Sequence, residues 1–391
     1  MKIGSQIYWI VGILFFVLAV FPDTSTAGVV ELTPGIKVAA GYDDNIDFTS
    51  NSSRADDDFY GRAIPDMRLS YTTERLDFMG RGEVDFKKYL NQTDYDRTNQ
   101  FYEVRTQYQA HHRWQFTGNY SFRRDETIDL QFEETGRTFE RKRALRHDAR
   151  GGVQFALTEL SDIGSFVNYV RADYSGRDNT DYDYYQIELP YTKRFRNQID
   201  TITLTPAYTR YRSDDNEKGD GYRLTLSWEH LLSETLTFDV TAGGRYTDVE
   251  EQNGDSNSNW GAIGNIGLTK EGETFRGGIR YSRDLRLTTE GEVVDVDRLW
   301  TFFDKLITER LGFTFTGNAY HSDRENNDAP DDKVISFDLN PGLYYLLTEN
   351  HSVELTYRYR NQRELDEPGN PVTQSNSVEL SFNFAFPKRW D

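Results

Sequence analysis

The chain has 391 residues, 45 Lys plus Arg against 64 Asp plus Glu, a formal net charge of −19, no Cys, 25 Tyr and 25 Phe. A mean hydropathy of −0.74 excludes a bundle of spanning helices, which needs several apolar runs of ~20 residues. The missing Cys excludes disulfide scaffolds and Cys-ligated zinc, the acidity argues against nucleic-acid binding, and the aromatics argue against simple disorder.

The first element is a signal peptide over residues 1–27. Lys2 supplies the positive charge, Ile7 to Phe21 is almost unbroken apolar sequence, and Ser25-Thr26-Ala27 supplies small residues for cleavage before Gly28. An uncleaved anchor helix is the alternative reading. No Cys follows, so no lipoprotein is expected.

Residues 28–391 form one domain dominated by period-two alternation, the signature of half-exposed strands. Over 76–87, Leu76, Phe78, Val84 and Phe86 alternate with Asp77, Arg81, Glu83, Asp85 and Lys87. Over 236–247, Leu236, Phe238, Val240 and Tyr246 alternate with Thr237, Asp239, Thr241 and Arg245. Over 353–360, Val353, Leu355, Tyr357 and Tyr359 alternate with Glu354, Thr356, Arg358 and Arg360. Such runs last about ten residues or more, the length of a tilted membrane-spanning strand, whereas strands of soluble sandwiches average about five or six.

Short turns recur near residues 74, 111, 159, 196, 234, 271, 309 and 349, usually 37–40 residues apart. Longer acidic loops lie between them at 43–57, 90–97, 125–140, 176–182, 212–220, 249–258, 284–292, 322–332 and 362–374. Eight turns and nine loops require 18 strands, with 16 as the runner-up, and place both termini on the short-turn, periplasmic side. The fold class is therefore all-β: a transmembrane antiparallel up-and-down β-barrel. Tyr42, Tyr120, Tyr174, Tyr208, Tyr246, Tyr281 and Tyr359 end successive outgoing strands and read as an aromatic girdle. In the last strand, Phe382, Phe384 and Phe386 share the apolar face, and Trp390 keeps that parity. They resemble the assembly signal of outer-membrane barrels, although Asp391 follows where such a signal usually ends on an aromatic ring.

The run Tyr42-Asp43-Asp44-Asn45-Ile46 closes the first strand. Through it the chain resembles the second β-barrel porin family, porin-like outer-membrane proteins often linked to exopolysaccharide production. That resemblance implies an outer-membrane barrel. It also implies a saccharide or exopolysaccharide cargo and polysaccharide-export components as partners. The barrel reading itself implies contact with outer-membrane lipids and lipopolysaccharide, and with the barrel-assembly machinery.

The face opposite the apolar one is densely charged. Its lumen candidates are Arg62, Arg68, Arg81, Glu83, Asp85, Arg105, Arg146, Asp148, Arg150, Arg276, Arg280, Arg358 and Arg360. A dry interior would need strict pairing of so many ions, whereas a water-filled lumen tolerates them. Two readings follow: a channel, or an interior sealed by ion-pair ladders. The loop 125–140 also has two readings. Folded inward, as the loop after strand five does in general porins, it would set Asp129, Glu133 and Glu134 opposite Arg146 and Arg150. Folded outward, Ile128, Leu130 and Phe132 would alternate along a hairpin turning at Glu134-Thr135-Gly136-Arg137.

The loop carboxylates Asp43, Asp44, Asp56, Asp57, Asp58, Asp214, Asp215, Asp323, Asp328, Asp331 and Asp332 match no calcium template. No GxSxG, HExxH or P-loop is present, so neither enzymatic activity nor a cofactor or metal is expected. The sequence reads as a passive channel for hydrophilic solutes, or alternatively as a non-conducting structural or adhesive barrel with glycan- or partner-binding loops.

Overall fold

The computed structural model describes residues 28–50, 55–138, 141–175, 180–214, 217–250, 256–288, 293–324, 333–366 and 371–390. The signal-peptide reading of 1–27 and the carboxylates Asp215, Asp328, Asp331 and Asp332 lie outside the described residues.

Eighteen antiparallel strands run in chain order. The first seven are β1 (Val29–Asp43), β2 (Asp58–Thr72), β3 (Leu76–Tyr89), β4 (Arg97–His111), β5 (Trp114–Glu126), β6 (Arg143–Thr158) and β7 (Ser161–Tyr174). Next come β8 (Tyr182–Glu188 with Tyr191–Arg194), β9 (Asp200–Ser213), β10 (Lys218–Ser233), β11 (Leu236–Glu250), β12 (Ser256–Glu271) and β13 (Phe275–Leu287). The last five are β14 (Val293–Leu306), β15 (Leu311–Arg324), β16 (Lys333–Thr348), β17 (His351–Glu364) and β18 (Val372–Ala385 with Lys388–Trp390). The count is 18 rather than 16.

β8 and β18 are each interrupted at a proline, which cannot donate to a ladder. The register is unchanged across both breaks. Glu188 faces Ala207 and Arg194 faces Thr201; Ala385 faces Gly35 and Trp390 faces Val30. Carbonyl groups beside the breaks still accept bonds, as when Gly164 N–H donates to Pro190 O at 2.8 Å.

The sheet closes where β1 pairs with β18, from Gly35 opposite Ala385 to Asp43 opposite Ser377. Closure gives every strand two neighbours, the condition for a sheet to cross lipid. The alternation then resolves into two faces. On β10, Tyr222, Leu224, Leu226 and Trp228 point outward and are 57, 54, 53 and 39% exposed. Gly221, Arg223 and Thr225 point inward and line the lumen. Large exposed hydrophobic residues recur at this outward parity around the barrel, including Ile36, Val38, Phe116, Ile187, Ile279, Leu299, Leu355 and Leu380. Only a bilayer covers such a belt without cost. The strands are mostly 13–16 residues long. At about 3.3 Å per residue they span about 45 Å, more than a tilted strand needs for the hydrocarbon core. The first strand begins and the last strand ends on the short-turn rim, where Val30 faces Trp390.

The face assignment predicts an asymmetric response to charge. Leu226→Arg, near the middle of the outward face, should destabilise the folded barrel by about 2–4 kcal/mol, while Thr225→Arg, facing the lumen, should cost less than about 1 kcal/mol. Urea unfolding in lipid vesicles measures both; equal costs would refute the assignment.

Candidate functional site

The loop after β5 folds into the lumen. β5 continues through Glu126, and residues Thr127–Thr135 form the helix α1. Ile128 and Phe132, four residues apart, lie on one helical stripe and are almost fully buried, Phe132 at 0% exposed. They pack with Val294 and Val296 of β14, Tyr320 of β15 and Phe48 of the first loop, a small apolar core inside the barrel. β14 and β15 lie half-way round the wall from β5 and β6, so α1 bridges the lumen.

The outward-hairpin reading is therefore overturned. The alternation of Ile128, Leu130 and Phe132 fits a short strand, but all three are buried on a helix. Gly136 ends it in the left-handed region at φ 71°, and its N–H donates to Phe132 O at 3.0 Å. Glycine suits this cap because it adopts positive φ without strain. A Cβ at Gly136 would also run into Tyr320 and Ser336.

Both ends of α1 and its flanks are tied by charge. Asp129 meets Arg360 at 2.9 Å, Arg97 at 3.3 Å and Arg358 at 3.8 Å. Glu133 meets Arg123 at 2.8 Å, and Glu134 meets Arg146. Beyond the helix, Arg137 donates to Ser322 Oγ at 2.7 Å, and Thr138 Oγ1 donates to Gln362 at 2.9 Å. The Tyr320 hydroxyl donates to the Glu133 carbonyl at 3.0 Å. Of the expected opposition between the three acids and two arginines, only the Glu134–Arg146 pair is present. Arg150 lies farther from the loop rim and pairs with Glu188 at 2.6 Å.

The first loop supports the same bridge. Asn45 Nδ2 donates to Thr49 O and to Gln374 O, each at 2.9 Å. Ser375 Oγ donates to Asp43 at 3.1 Å, and Asn376 N–H donates to Asp44 at 2.6 Å. The Tyr-Asp-Asp-Asn-Ile run thus staples the first strand to the last at the loop rim. Arg141 joins this loop to the base of α1 through Ile46 O, Asp47 and Glu126.

The remaining lumen candidates all face inward. Arg62 forms a bidentate pair with Asp85, at 2.8 and 2.7 Å, and reaches Glu379 at 3.3 Å. Arg81 pairs with Glu83 at 2.7 Å, Arg105 with Glu103 at 2.6 Å and Arg358 with Asp338 at 2.8 Å. Arg280 reaches Asp239 at 2.8 Å over Gly267. Arg276 is paired with Glu271 at 2.9 Å on the short-turn rim, far from α1. Arg68 faces Arg81 across the β2–β3 ladder, and Asp148 lines the lumen beside Arg146. Sequence reading passed over Lys37, Arg97, Arg223 and Glu379, although strand parity marks all four as inward. Lys87, already on the charged face of β3, is 6% exposed, with its ammonium 3.7 Å from the centre of the Tyr60 ring.

α1 divides the interior. One chamber of about 560 Å³ lies between α1 and strands β1–β5 and β16–β18, with Asp129 and Glu133 on its wall. A second, of about 320 Å³, lies against β6–β11 and β13, with Glu134 on its wall. The first mixes Lys37, Arg62, Lys87, Arg97, Arg358 and Arg360 with Asp43, Asp85, Asp129 and Glu379. The second sets Tyr182, Tyr184 and Tyr211 beside Asn168, Gln186, Arg146 and Glu188.

Of the girdle tyrosines, Tyr42, Tyr120, Tyr208, Tyr246, Tyr281 and Tyr359 share the outward parity of their strands. Tyr174 does not. It packs against the inward cluster of Val170, Ala172, Tyr182 and Tyr211, because β7 reaches the rim one residue out of phase. In the last strand, Phe382, Phe386 and Trp390 are 42, 51 and 49% exposed on the outer face, with Phe384 at the same parity. Among the described residues no cluster of three or more His, Asp or Glu is placed to hold a metal. Two described loop acids fasten neighbouring loops instead: Asp58 accepts from the Asn91 side chain and the Gln92 N–H, and Asp56 from the Tyr95 hydroxyl.

No protein-family model matches the chain, and no curated protein matches it. Solved structures share its shape remotely. OpdQ of Pseudomonas aeruginosa is 10% identical, with 92% of this chain and 98% of that chain covered and a TM-score of 0.47. OccK9 (OpdG) of the same organism is 11% identical over 91% and 98%, with a TM-score of 0.45. The FrpB iron transporter of Neisseria meningitidis is 8% identical over 90% and 81%, with a TM-score of 0.47. The chain itself is an outer-membrane-type β-barrel by its own closed, 18-stranded geometry.

Asp129 yields a pH prediction. Burial alone would raise its carboxyl, but Arg97, Arg360, Arg358 and Arg141 outweigh it and hold the group well below the ordinary carboxylate range. A depressed folded value contributes stability that is fully present above the unfolded value of about 4 and is lost only as pH falls through the folded one. Protease cleavage of the α1 loop in the folded barrel should therefore stay constant from pH 7 to pH 4. Asp129→Asn, which strands buried guanidinium groups at a cost of about 3–5 kcal/mol, should make the loop cleavable across that whole range. A wild-type loop released at pH 4 would contradict the assignment.

Proposed function

We propose that the chain is a porin-like passive channel of the bacterial outer membrane, passing hydrophilic solutes through a lumen narrowed by α1. The observation that carries this reading is the helix tied across a charge-lined interior with a chamber on either side. A wall of mixed Arg, Asp and Glu suits hydrated, polar cargo. The finer reading, a saccharide, has support from the second chamber: tyrosine rings beside amides, guanidinium groups and carboxylates match the apolar faces and hydroxyl edges of sugars. The resemblance carried by residues 42–46 points the same way and adds polysaccharide-export components as partners. In this reading residues 1–27 are the export signal and the short-turn rim with both termini is periplasmic. The outward belt contacts lipid and lipopolysaccharide, and Phe382, Phe384, Phe386 and Trp390 engage the assembly machinery.

One observation favours a second reading. The apolar core around Phe132 and the dense ion pairs resemble a plug, which would suit a structural or adhesive barrel. Purified protein in planar bilayers separates the two: discrete conductance steps are expected of the channel, and a correctly folded but silent barrel would overturn it. In the conducting protein, Glu133→Gln with Glu134→Gln removes two negative charges from the lumen beside Arg123 and Arg146. A unit charge ~8 Å from a passing ion contributes about 0.5–2 kcal/mol at an effective dielectric of about 80 to 20. The chloride-to-potassium permeability ratio should rise at least about twofold, read from the reversal potential; an unchanged ratio would remove α1 from the conducting path.

A further inference from the structure

One seam of the wall stops half-way. β12 and β13 pair only from Gly264 opposite Arg283 to Glu271 opposite Arg276, eight pairs in all. Their other seams continue to the rim: β11 with β12 up to Glu250 opposite Ser256, and β13 with β14 up to Leu287 opposite Val293. From Ile263 towards the loops, β12 and β13 therefore part and leave a slit.

The two lips of the slit go different ways. Asp284, Leu285 and Arg286 all line the second chamber. Asp284 lies 3.6 Å from Arg223 on β10, and Asp295 on β14 lies 2.6 Å from Arg245 on β11. Gly261 leaves room for the second contact, since a Cβ there would stand 2.6 Å from the Arg245 guanidinium carbon. The β13–β14 lip thus leans into the lumen. The β12 lip stays on the perimeter, where Trp260 is 78% exposed and 5.0 Å from Tyr246, at the level of the aromatic girdle.

Chemistry differs across this opening. On the lumen side stand Arg223, Arg245 and Arg286, and among the described residues the nearest carboxylate oxygen to Arg286, on Asp284, lies at 3.9 Å. On the membrane side Ile266 and Ile279 are 47 and 49% exposed. Backbone groups freed from a ladder cannot face hydrocarbon, but they can face a polar head at headgroup depth. A gap of one missing ladder also admits a single alkyl chain more readily than a bulky diacyl lipid.

We propose that the slit between β12 and β13 is a lateral portal and binding site for a single-chain carboxylate amphiphile. Its head engages Arg286 from within the second chamber, while its hydrocarbon chain stays in the membrane along Ile266 and Ile279. The Arg fork accepts a carboxylate through two parallel bonds. This site does not depend on the channel being open.

The test uses the full barrel in phospholipid vesicles with dodecanoate brominated beside its carboxylate as the probe. Quenching of Trp260 is read as the difference from Trp260→Phe. Quenching should saturate, and Arg286→Gln should weaken the apparent affinity at least tenfold. Non-saturating quenching that is unchanged by Arg286→Gln would overturn the site. So would equal quenching by a brominated neutral glycoside of the same chain length, or displacement of the probe only by a diacyl phospholipid. An independent measurement addresses the slit itself. Ile263 and Asp284 would be the next ladder pair, and the native chain has no Cys. Ile263→Cys with Asp284→Cys should keep free thiols in air, and so should the neighbouring Ala262→Cys with Leu285→Cys. Complete spontaneous disulfide formation in either folded variant would show a closed wall and overturn the portal.

Discussion

A sheet that crosses a bilayer cannot keep a free edge, because each unpaired backbone group in hydrocarbon costs several kcal/mol. The contact between the first and last strands is therefore the interaction on which everything else in this protein depends. The ladder from Gly35 to Asp43 supplies the backbone bonds. The Tyr-Asp-Asp-Asn-Ile run then locks the rim, with Asp43, Asp44 and Asn45 each bonded to the end of β18. Those residues do not stop at closure. The loop they open carries Ile46 into a cluster with Tyr60 and Tyr89. It also carries Phe48, at φ 47° and 5.6 Å from the Phe132 ring, into the core beneath α1. A non-glycine residue at positive φ is strained and persists only where its surroundings hold it. Here the apolar seat in the lumen does so. Closing the barrel and seating the helix therefore draw on the same loop.

The lumen answers a second constraint, the cost of removing charge from water. The ions that hold α1 have partners of opposite sign or an aromatic face. Arg62 has Asp85 and Glu379, Asp129 has three arginines, and Lys87 has the rings of Tyr60 and Tyr89. Such pairs orient more than they stabilise, since desolvation offsets much of their Coulomb energy. They fix the helix against opposite walls, and they leave a balanced field in the chambers. The net charge of −19 therefore describes the chain and not its lumen.

Much of the barrel was legible in the sequence because strand geometry has a strict period of two. Parity alone assigned Arg62, Arg81, Asp85, Arg358 and Arg360 to the lumen and Phe86 and Leu355 to lipid, and the spacing of turns gave the strand number. What parity does not encode stayed hidden. Ile128, Leu130 and Phe132 satisfy a short strand and a helix equally, so the direction of the loop depended on the distant partners Phe48, Val296 and Tyr320. Tyr174 ends its strand as the other tyrosines do, yet one residue of phase turns it inward. Which arginine meets which acid depends on barrel curvature. Arg146 reaches Glu134 whereas Arg150, on the same face, takes Glu188. Nor does alternation reveal whether a strand is paired to its neighbour. β12 keeps its pattern to Trp260 even where β13 has left it.

These features share a cause. A helix seated across a barrel needs apolar support from the far wall, and Val294 and Val296 supply it at the loop end of β14. Drawing that end towards Phe132 draws β13 with it, since the two strands stay paired to Leu287 and Val293. β12, held to β11 by a full ladder, does not follow. The seam that parts carries glycine and asparagine on its β12 side, at Asn259, Gly261 and Gly264. On this account the helix that narrows the lumen is also what parts the wall. The second chamber is the one that lies beside the half-paired seam, with Asp284, Leu285 and Arg286 of β13 on its wall.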